Sequence, residues 1–290
     1  MGEVSCFPNF TEAWGAEVVQ DGQSEKVRES QKQVHYDYKN YWRSMMRKFS
    51  LMLLAFSVYV DDEKAVVVGS AEELKGITAK KIIWKKDGAV MMSIPAADTI
   101  KPFWMNATEV TVGQFKKLLE SSGYKGEAPD DPIDWDDVAE YSPSDKHPMI
   151  YVSWHDAPAY AKWAGRRLPT EKEWEFAARR GLKNKRYPWG DDQSLARDYA
   201  NYRGIDGKDK WKESAAPVGI LKPNGYGLYD ITGNAWEWCQ DWYDSDKDSR
   251  ALRGGYWVSN TINLRVARRT NYPPDSRGSS LGFRCVADVK

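Results

Sequence analysis

Cysteine and histidine are scarce in this chain, with three of each among 290 residues. Cys6, Cys239 and Cys285 are odd in number and show no metal-like spacing, which argues against a disulfide scaffold and against a zinc site. Cys239 and Cys285 are either a pair closed by the fold or two buried free thiols. His35, His147 and His155 stand in no H-x-x-x-H or facial-triad spacing, so clustered-histidine metal chemistry is not expected. We read His35 as a surface residue and His155 as capping or packing at a helix start. Net charge is also missing. Lys+Arg and Asp+Glu are 42 each and the pI is near 6.8, which removes the global electrostatic case for nucleic acid or an anionic membrane. No apolar run is long enough to span a bilayer. The longest, Leu51 to Val60, ends at Asp61-Asp62-Glu63 and reads as a core element.

Aromatic residues are abundant, with 14 Trp and 16 Tyr, mostly after residue 100. Together with long loops they predict a fold held by aromatic clusters under its loops rather than by regular layers. Residues 1–100 read as an α+β appendage, or as a segment that wraps the main domain. A polar helix follows Gln23, with Tyr38, Tyr41 and Trp42 as its stripe, and Leu51 to Val60 and Ala65 to Val68 read as strands. Lys80 to Lys86 and Ala89 to Ile94 flank Asp87-Gly88, a hairpin signal. Val4-Ser5-Cys6 resembles the tail of a bacterial lipoprotein cleavage site, which would tether the protein to a membrane through a lipidated Cys6. An ordinary cysteine near a terminus is the alternative.

Residues 101–290 read as the main domain. A strand leads into a helix starting near Thr111, with Val112, Phe115, Leu118 and Leu119 at helical spacing and Gly123 at its end. A second helix covers His155 to Gly165. Thr170 with Glu173 forms a capping box for a third, whose inner face is Trp174, Ala177 and Ala178. From Tyr187 to Trp257 the chain is loop-rich. There Asp241, Asp244, Asp246 and Asp248 read as a solvated face.

The stretch Arg253 to Arg284 interleaves two populations. Arg253, Gly254, Gly255, Trp257, Leu264, Arg265, Ala267, Arg269, Pro274, Arg277, Leu281, Gly282, Phe283 and Arg284 form a frame of turn glycines, apolar anchors and arginine donors. The slots between them are Tyr256, Val258, Ser259, Asn260, Arg268, Thr270, Asn271, Tyr272, Pro273, Ser276, Gly278, Ser279 and Ser280. They carry the small polar and tyrosine vocabulary of contact surfaces. This predicts a ligand-binding face on a rigid scaffold, with Tyr256 and Tyr272 exposed as anchors and Trp236, Trp238, Trp242 and Trp257 in the core.

RLPTEKEWEFAARRG, YPWGD, NGYGLYDITGNAWEWCQDWY, LRGGYW and GFRC, in this order over residues 101–290, resemble the formylglycine-generating-enzyme type of C-type lectin fold. The resemblance implies an α+β, loop-rich, C-type-lectin-like domain. Active oxidases of that family bind copper through two cysteines in the interval that is here Tyr256 to Leu264, which contains none. On that ground the chain is expected not to be an enzyme, with a metal-dependent oxidoreductase of non-standard site as the alternative.

The frame and slots further resemble the variable proteins of diversity-generating retroelements, of the Treponema type. Adenine mutagenesis there varies the first two bases of AAC/AAT codons, and every slot residue is reachable by such changes. A plain surface loop, rich in Ser, Asn, Gly and Pro for ordinary reasons, is the alternative. The resemblance implies an unidentified protein or surface ligand as partner and display at the bacterial cell surface; the balanced charge implies no nucleic-acid partner, and Cys6 implies an outer-membrane lipoprotein. It requires no cofactor but implies structural Ca²⁺ at Asp230 and Glu237 with the carbonyls of Gly233 and Ala235. A second calcium set would be Asn201, the Tyr202 carbonyl, Asp209 and the Trp211 carbonyl. A hydrogen-bonded loop is the alternative at the first set, and a one-residue-longer loop weakens the second.

Overall fold

The computed structural model describes residues 65–126, 132–204 and 210–289. The expected N-terminal helix, the Leu51 to Val60 strand, His35 and Cys6 all lie outside these. Lys64–Lys290 forms one unit.

Two sheets organise this unit. The first has five strands, β1 (Val66–Val68), β2 (Lys81–Trp84), β3 (Val90–Ile94), β4 (Phe103–Asn106) and β9 (Val286–Asp288), in the order β1-β2-β3-β4-β9. β1 runs parallel to β2 and the other pairs are antiparallel. The Asp87-Gly88 signal is a hairpin as read: Gly88 takes a positive φ of 79° and Asp87 Oδ1 accepts from Ala89 N at 3.0 Å. The appendage boundary at residue 100 runs through this sheet. β1 to β3, assigned to the appendage, pair outward from β4, whose four residues are all buried. A strand buried on both faces needs a partner on each edge for its backbone groups, and β3 and β9 supply them.

The helices are α1 (Val112–Ser122), α2 (Trp135–Tyr141), α3 (Asp156–Trp163), α4 (Glu171–Arg179) and the short α5 (Ala196–Tyr199). α1 and α4 both carry reciprocal capping boxes, Thr111 with Gln114 and Thr170 with Glu173, each contributing about 1 kcal/mol. Gly123 ends α1 in the left-handed conformation. Trp174, Ala177 and Ala178 are fully buried, as their spacing predicts. No helix of the described residues is long and apolar enough to cross a membrane.

The second sheet contains β5 (Trp236–Trp242), β6 (Arg250–Arg253), β7 (Arg269–Tyr272) and β8 (Leu281–Gly282), in the order β7-β6-β5-β8. Aromatic rings join it to the helices. Phe115 and Tyr160 stack at 5.6 Å, and Phe283 meets Tyr160 edge-on at 5.5 Å. Trp238 is buried and donates from Nε1 to the Val152 carbonyl at 3.0 Å. Trp236 and Trp257 are also core, while Trp242 is half-buried against Arg250. Cys239 and Cys285 are free, buried thiols, so the pairing alternative falls away. Burial pushes the Cys285 thiol up to about 12 and raises Cys239 as well.

Candidate ligand-binding face and buried carboxylate cluster

The frame residues at either end of the C-terminal stretch are buried: Arg253, Gly254, Gly255, Trp257 and Leu264, then Leu281 to Arg284. Frame side chains tie loops together by donating to acceptors that sit far from them in sequence. Arg253 Nη1 donates to the carbonyls of Ala267 and Arg268 at 3.2 Å, and its Nη2 meets Glu175. Trp257 Nε1 donates to the Ser279 carbonyl at 3.2 Å. Arg277 Nη1 reaches the Tyr151 carbonyl at 3.1 Å and the Asp156 carboxylate. Backbone bonds complete the frame, Trp154 N to Pro274 O at 2.9 Å and Tyr151 N to Gly278 O at 3.0 Å.

Twelve of the thirteen slots are exposed or half-buried. Asn260, Arg268, Asn271, Tyr272 and Pro273 are exposed; Tyr256, Val258, Thr270, Ser276, Gly278, Ser279 and Ser280 are half-buried. Thr270 to Tyr272 lie on β7, at the edge of its sheet.

Four assignments need correction. Ser259 is 2% exposed, and its Oγ accepts from Tyr256 N at 2.9 Å while its own N donates to the Tyr256 carbonyl at 2.8 Å. It closes a turn after Gly255, whose φ is +84°, so it belongs to the frame. Arg265 and Ala267, assigned to the frame, are exposed. The anchor between them is Val266, buried and bonded through its N to the Arg186 carbonyl at 2.9 Å. Tyr256, expected exposed, is half-buried against Trp236 and Trp257, whereas Tyr272 is 43% exposed. His155, by contrast, packs at a helix start as read: it stands at the N-cap of α3 without a capping bond, its ring edge-on to Trp154 and facing Asp275 at 3.3 Å.

The residues expected to hold calcium lie behind this face. Glu237 is fully buried, with both oxygens on Arg284 at 2.7 Å and Oε2 also accepting from Trp174 Nε1 at 2.7 Å. Asp230 Oδ2 accepts from Gly219 N at 2.7 Å, while its Oδ1 is buried with no hydrogen-bond partner. Sequence reading missed Glu109, which joins this cluster across more than a hundred residues. Its Oε1 accepts from Asn234 Nδ2 at 3.0 Å and its Oε2 is likewise buried without a partner. No spacing rule links Glu109 to Asp230, and nothing in the polar Asn106 to Thr111 turn that carries it marks it out. Burial pushes Asp230 up to about 6, and burial plus the neighbouring Asp230 raises Glu109.

In the second set, Arg197 donates to the Tyr202 carbonyl, and the Trp211 carbonyl accepts from Ser214 Oγ at 2.9 Å. Asn201 Nδ2 bonds Ser214 O and Asn234 Oδ1, both at 3.2 Å. Asp209 lies outside the described residues. A guanidinium already sits at one expected ligand oxygen. Among the described residues no group of three or more His, Cys, Asp or Glu is arranged to hold a metal ion.

A mixed α/β unit of two small curled sheets, pinned by buried arginines beneath long loops, is the C-type-lectin-like fold of the formylglycine-generating type. Residues 68–289 match the sulfatase-modifying factor enzyme 1-like domain, and the chain belongs to that family. It is 36% identical over 267 residues to the formylglycine-generating enzyme of Bos taurus, covering 70% of each chain. It is 43% identical over 170 residues to that of Thermomonospora curvata, spanning 56% of that protein. It is also 44% identical over 150 residues to inactive C-alpha-formylglycine-generating enzyme 2 of Bos taurus, spanning half of that protein (50%).

Among solved structures, PvdO from Pseudomonas aeruginosa superposes with a TM-score of 0.58 at 25% identity, over 71% of this chain and 97% of that one. Treponema denticola variable protein 1 superposes with a TM-score of 0.57 at 23% identity, over 72% and 99%, a likeness of fold. The expectation that this chain is not an enzyme is overturned by its relatives. At 36% and 43% identity they are named formylglycine-generating enzymes, which points to an enzyme, with an inactive relative also in the family.

Proposed function

We propose that this protein binds a protein or surface ligand through the face built from residues 256–280, slot side chains choosing the partner and the frame holding the backbone. The observation that carries this reading is the sorting by burial: twelve slots reach solvent while Arg253, Gly254, Gly255, Trp257, Leu264 and Leu281 to Arg284 of the frame are buried. A backbone held by buried side chains loses little freedom when a ligand binds. Diversification by a retroelement, and display at the bacterial surface through a lipid on Cys6, complete the reading. A template repeat with adenines at the slot codons beside a reverse transcriptase gene tests the first, and labelling with a palmitate analogue tests the second.

Slot substitutions test the face. Tyr272→Asn and Asn271→Ser are expected to change stability by less than about 0.5 kcal/mol while changing binding to a selected ligand. Tyr256→Ser is expected to cost about 1–2 kcal/mol through lost contact with Trp236 and Trp257. Urea melts of the three variants check this, and a large loss at Tyr272 or Asn271 would count against interchangeable slots.

A second reading comes from the relatives named above and concerns the scaffold rather than the face. In it the chain generates formylglycine in a polypeptide, an aldehyde that hydrazide capture of the treated peptide would reveal. The two readings are compatible, since one describes binding and the other chemistry.

Calcium is proposed in a structural role at Asp230, with Glu109 in place of Glu237. The orphaned oxygens Asp230 Oδ1 and Glu109 Oε2 are hard donors of the kind Ca²⁺ takes. Without the ion, Asp230 titrates near 6 in the folded chain against its ordinary 3.8. The folded state therefore binds the extra proton between those values, and this group's contribution to stability rises as pH falls through that window. Asp230→Asn in chelator is accordingly expected to be more stable than wild type at pH 8 by about 1–3 kcal/mol, with the gap closing towards pH 4. Added Ca²⁺ should raise the melting temperature of wild type and leave the variant unchanged. Equal shifts in both would end the calcium assignment.

A further inference from the structure

Five of the eight residues from Arg179 to Arg186 are cationic, in a chain without net charge, and neither the frame nor the calcium reading accounts for them. The run leaves the C-terminus of α4 through three left-handed positions, Arg180 (φ 53°), Gly181 (φ 74°) and Asn184 (φ 59°), which fold it back on itself. Its far wall is the exposed segment around Arg265. Between them lies a cleft of about 660 Å³ lined by Arg179, Lys183, Asn184, Lys185, Arg186 and Arg265.

Two carboxylates hold part of this charge in place. Glu175 pairs with Arg179 at 2.6 Å, and Asp191 pairs with Lys185 at 2.8 Å while its carbonyl accepts from Arg186 Nη2 at 2.9 Å. Lys183 and Arg265 are exposed and make no side-chain hydrogen bond or ion pair among the described residues. Five cations line the cleft against two carboxylates, one of which, Glu175, is shared with the buried Arg253, so at least three positive charges around the cleft are left over. The partial negative charge at the end of α4, roughly half an elementary charge, is too small to cancel it.

We propose that this cleft binds a phosphoryl or sulfuryl oxyanion carried by a ligand. Guanidinium forks present paired N–H donors that match a tetrahedral oxyanion, and lysines add point charge. A doubly charged group suits an excess of three better than a single carboxylate does. The paired arginines and lysine are already oriented by Glu175 and Asp191, so binding orders chiefly Lys183 and Arg265. The cleft borders the ligand face at Arg265, but none of its lining residues is a slot, so slot substitutions leave its donors in place.

The full-length chain titrated with inorganic phosphate, pyrophosphate or sulfate, followed by calorimetry and thermal unfolding at low ionic strength, tests it. Saturable binding is expected, weakening as salt rises. The Lys183→Ala/Arg265→Ala double variant should melt like wild type without ligand and bind roughly tenfold or more weakly. Lys75→Ala, on an exposed lysine elsewhere, and Tyr272→Asn, on the slot face, should both bind as wild type does. The ranking of phosphate against sulfate identifies the source of the oxyanion. No saturable binding, equal affinity in the double variant, equal loss in Lys75→Ala, or binding of a glutamate-rich peptide with neither oxyanion would each overturn the proposal.

Discussion

Arg284→Leu is expected to destabilise the fold by about 3–5 kcal/mol at pH 8, the cost of stripping one partner from a buried ion pair. Arg284 is fully buried. It donates to both oxygens of Glu237 at 2.7 Å and to the carbonyls of Asn106, Ala107 and Tyr229 at 3.2, 3.3 and 3.0 Å. Leucine leaves those carbonyls short of a donor and leaves Glu237, Asp230 and Glu109 without the cation that lowers the pKa of all three. Each carboxyl then holds its proton to higher pH in the folded state than in the unfolded one. The folded variant therefore binds more protons, and the deficit shrinks as pH falls. Urea midpoints at pH 5 and pH 8 check this, with a larger deficit at pH 8 expected. Arg284→Lys keeps the charge and loses the fork, so it should fall between the two. A deficit below about 1 kcal/mol at pH 8 would mean the cluster is reached by water and is not the buried network described.

Asp87→Ala is expected to cost a similar amount, again about 3–5 kcal/mol. Asp87 is buried at the β2–β3 turn. Its Oδ2 accepts from Tyr160 OH at 2.5 Å and from the buried Arg166, which also donates to Asn106 Oδ1 at 2.6 Å. Alanine removes the turn's acceptor for Ala89 N and strands the guanidinium between the rings of Trp84 and Tyr160. The comparison of interest is Asp87→Ala/Arg166→Leu, which removes both charges and should recover part of the loss. If β1 to β3 were an independent appendage, Asp87→Ala would unfold that part alone and leave a second transition untouched. A single, earlier transition followed by tryptophan fluorescence and by circular dichroism is the expected result.

Local features were legible in the sequence wherever the controlling interaction spans a few residues. The capping boxes at Thr111 and Thr170, the stop at Gly123 and the hairpin at Asp87-Gly88 are all closed by bonds within four positions. The alternation of frame and slots was legible because burial along the stretch follows residue type. It failed at Ser259, whose hydroxyl suits either a contact surface or a closed turn, and at Arg265 and Ala267, where the neighbouring Val266 took the interior. Asp230 and Glu237, expected as calcium ligands, are both buried, and nothing near them in sequence pointed to Glu109 or Arg284 as their neighbours. Family motifs placed the fold, while the missing cysteine pair led to an inference about catalysis that the named relatives contradict.

The chain by itself determined its turns, its helix ends and the order of polar and apolar positions, since backbone geometry and short-range hydrogen bonds settle these before any distant segment arrives. Only the tertiary structure decided that Glu109 meets Asp230 and Arg284, that Asp87 neutralises Arg166, and that residues 66–94 extend the sheet of β4. Those pairings join segments far apart in the chain. A buried charge is tolerable only where another element supplies its counter-charge and donors, and no local pattern specifies which element that is.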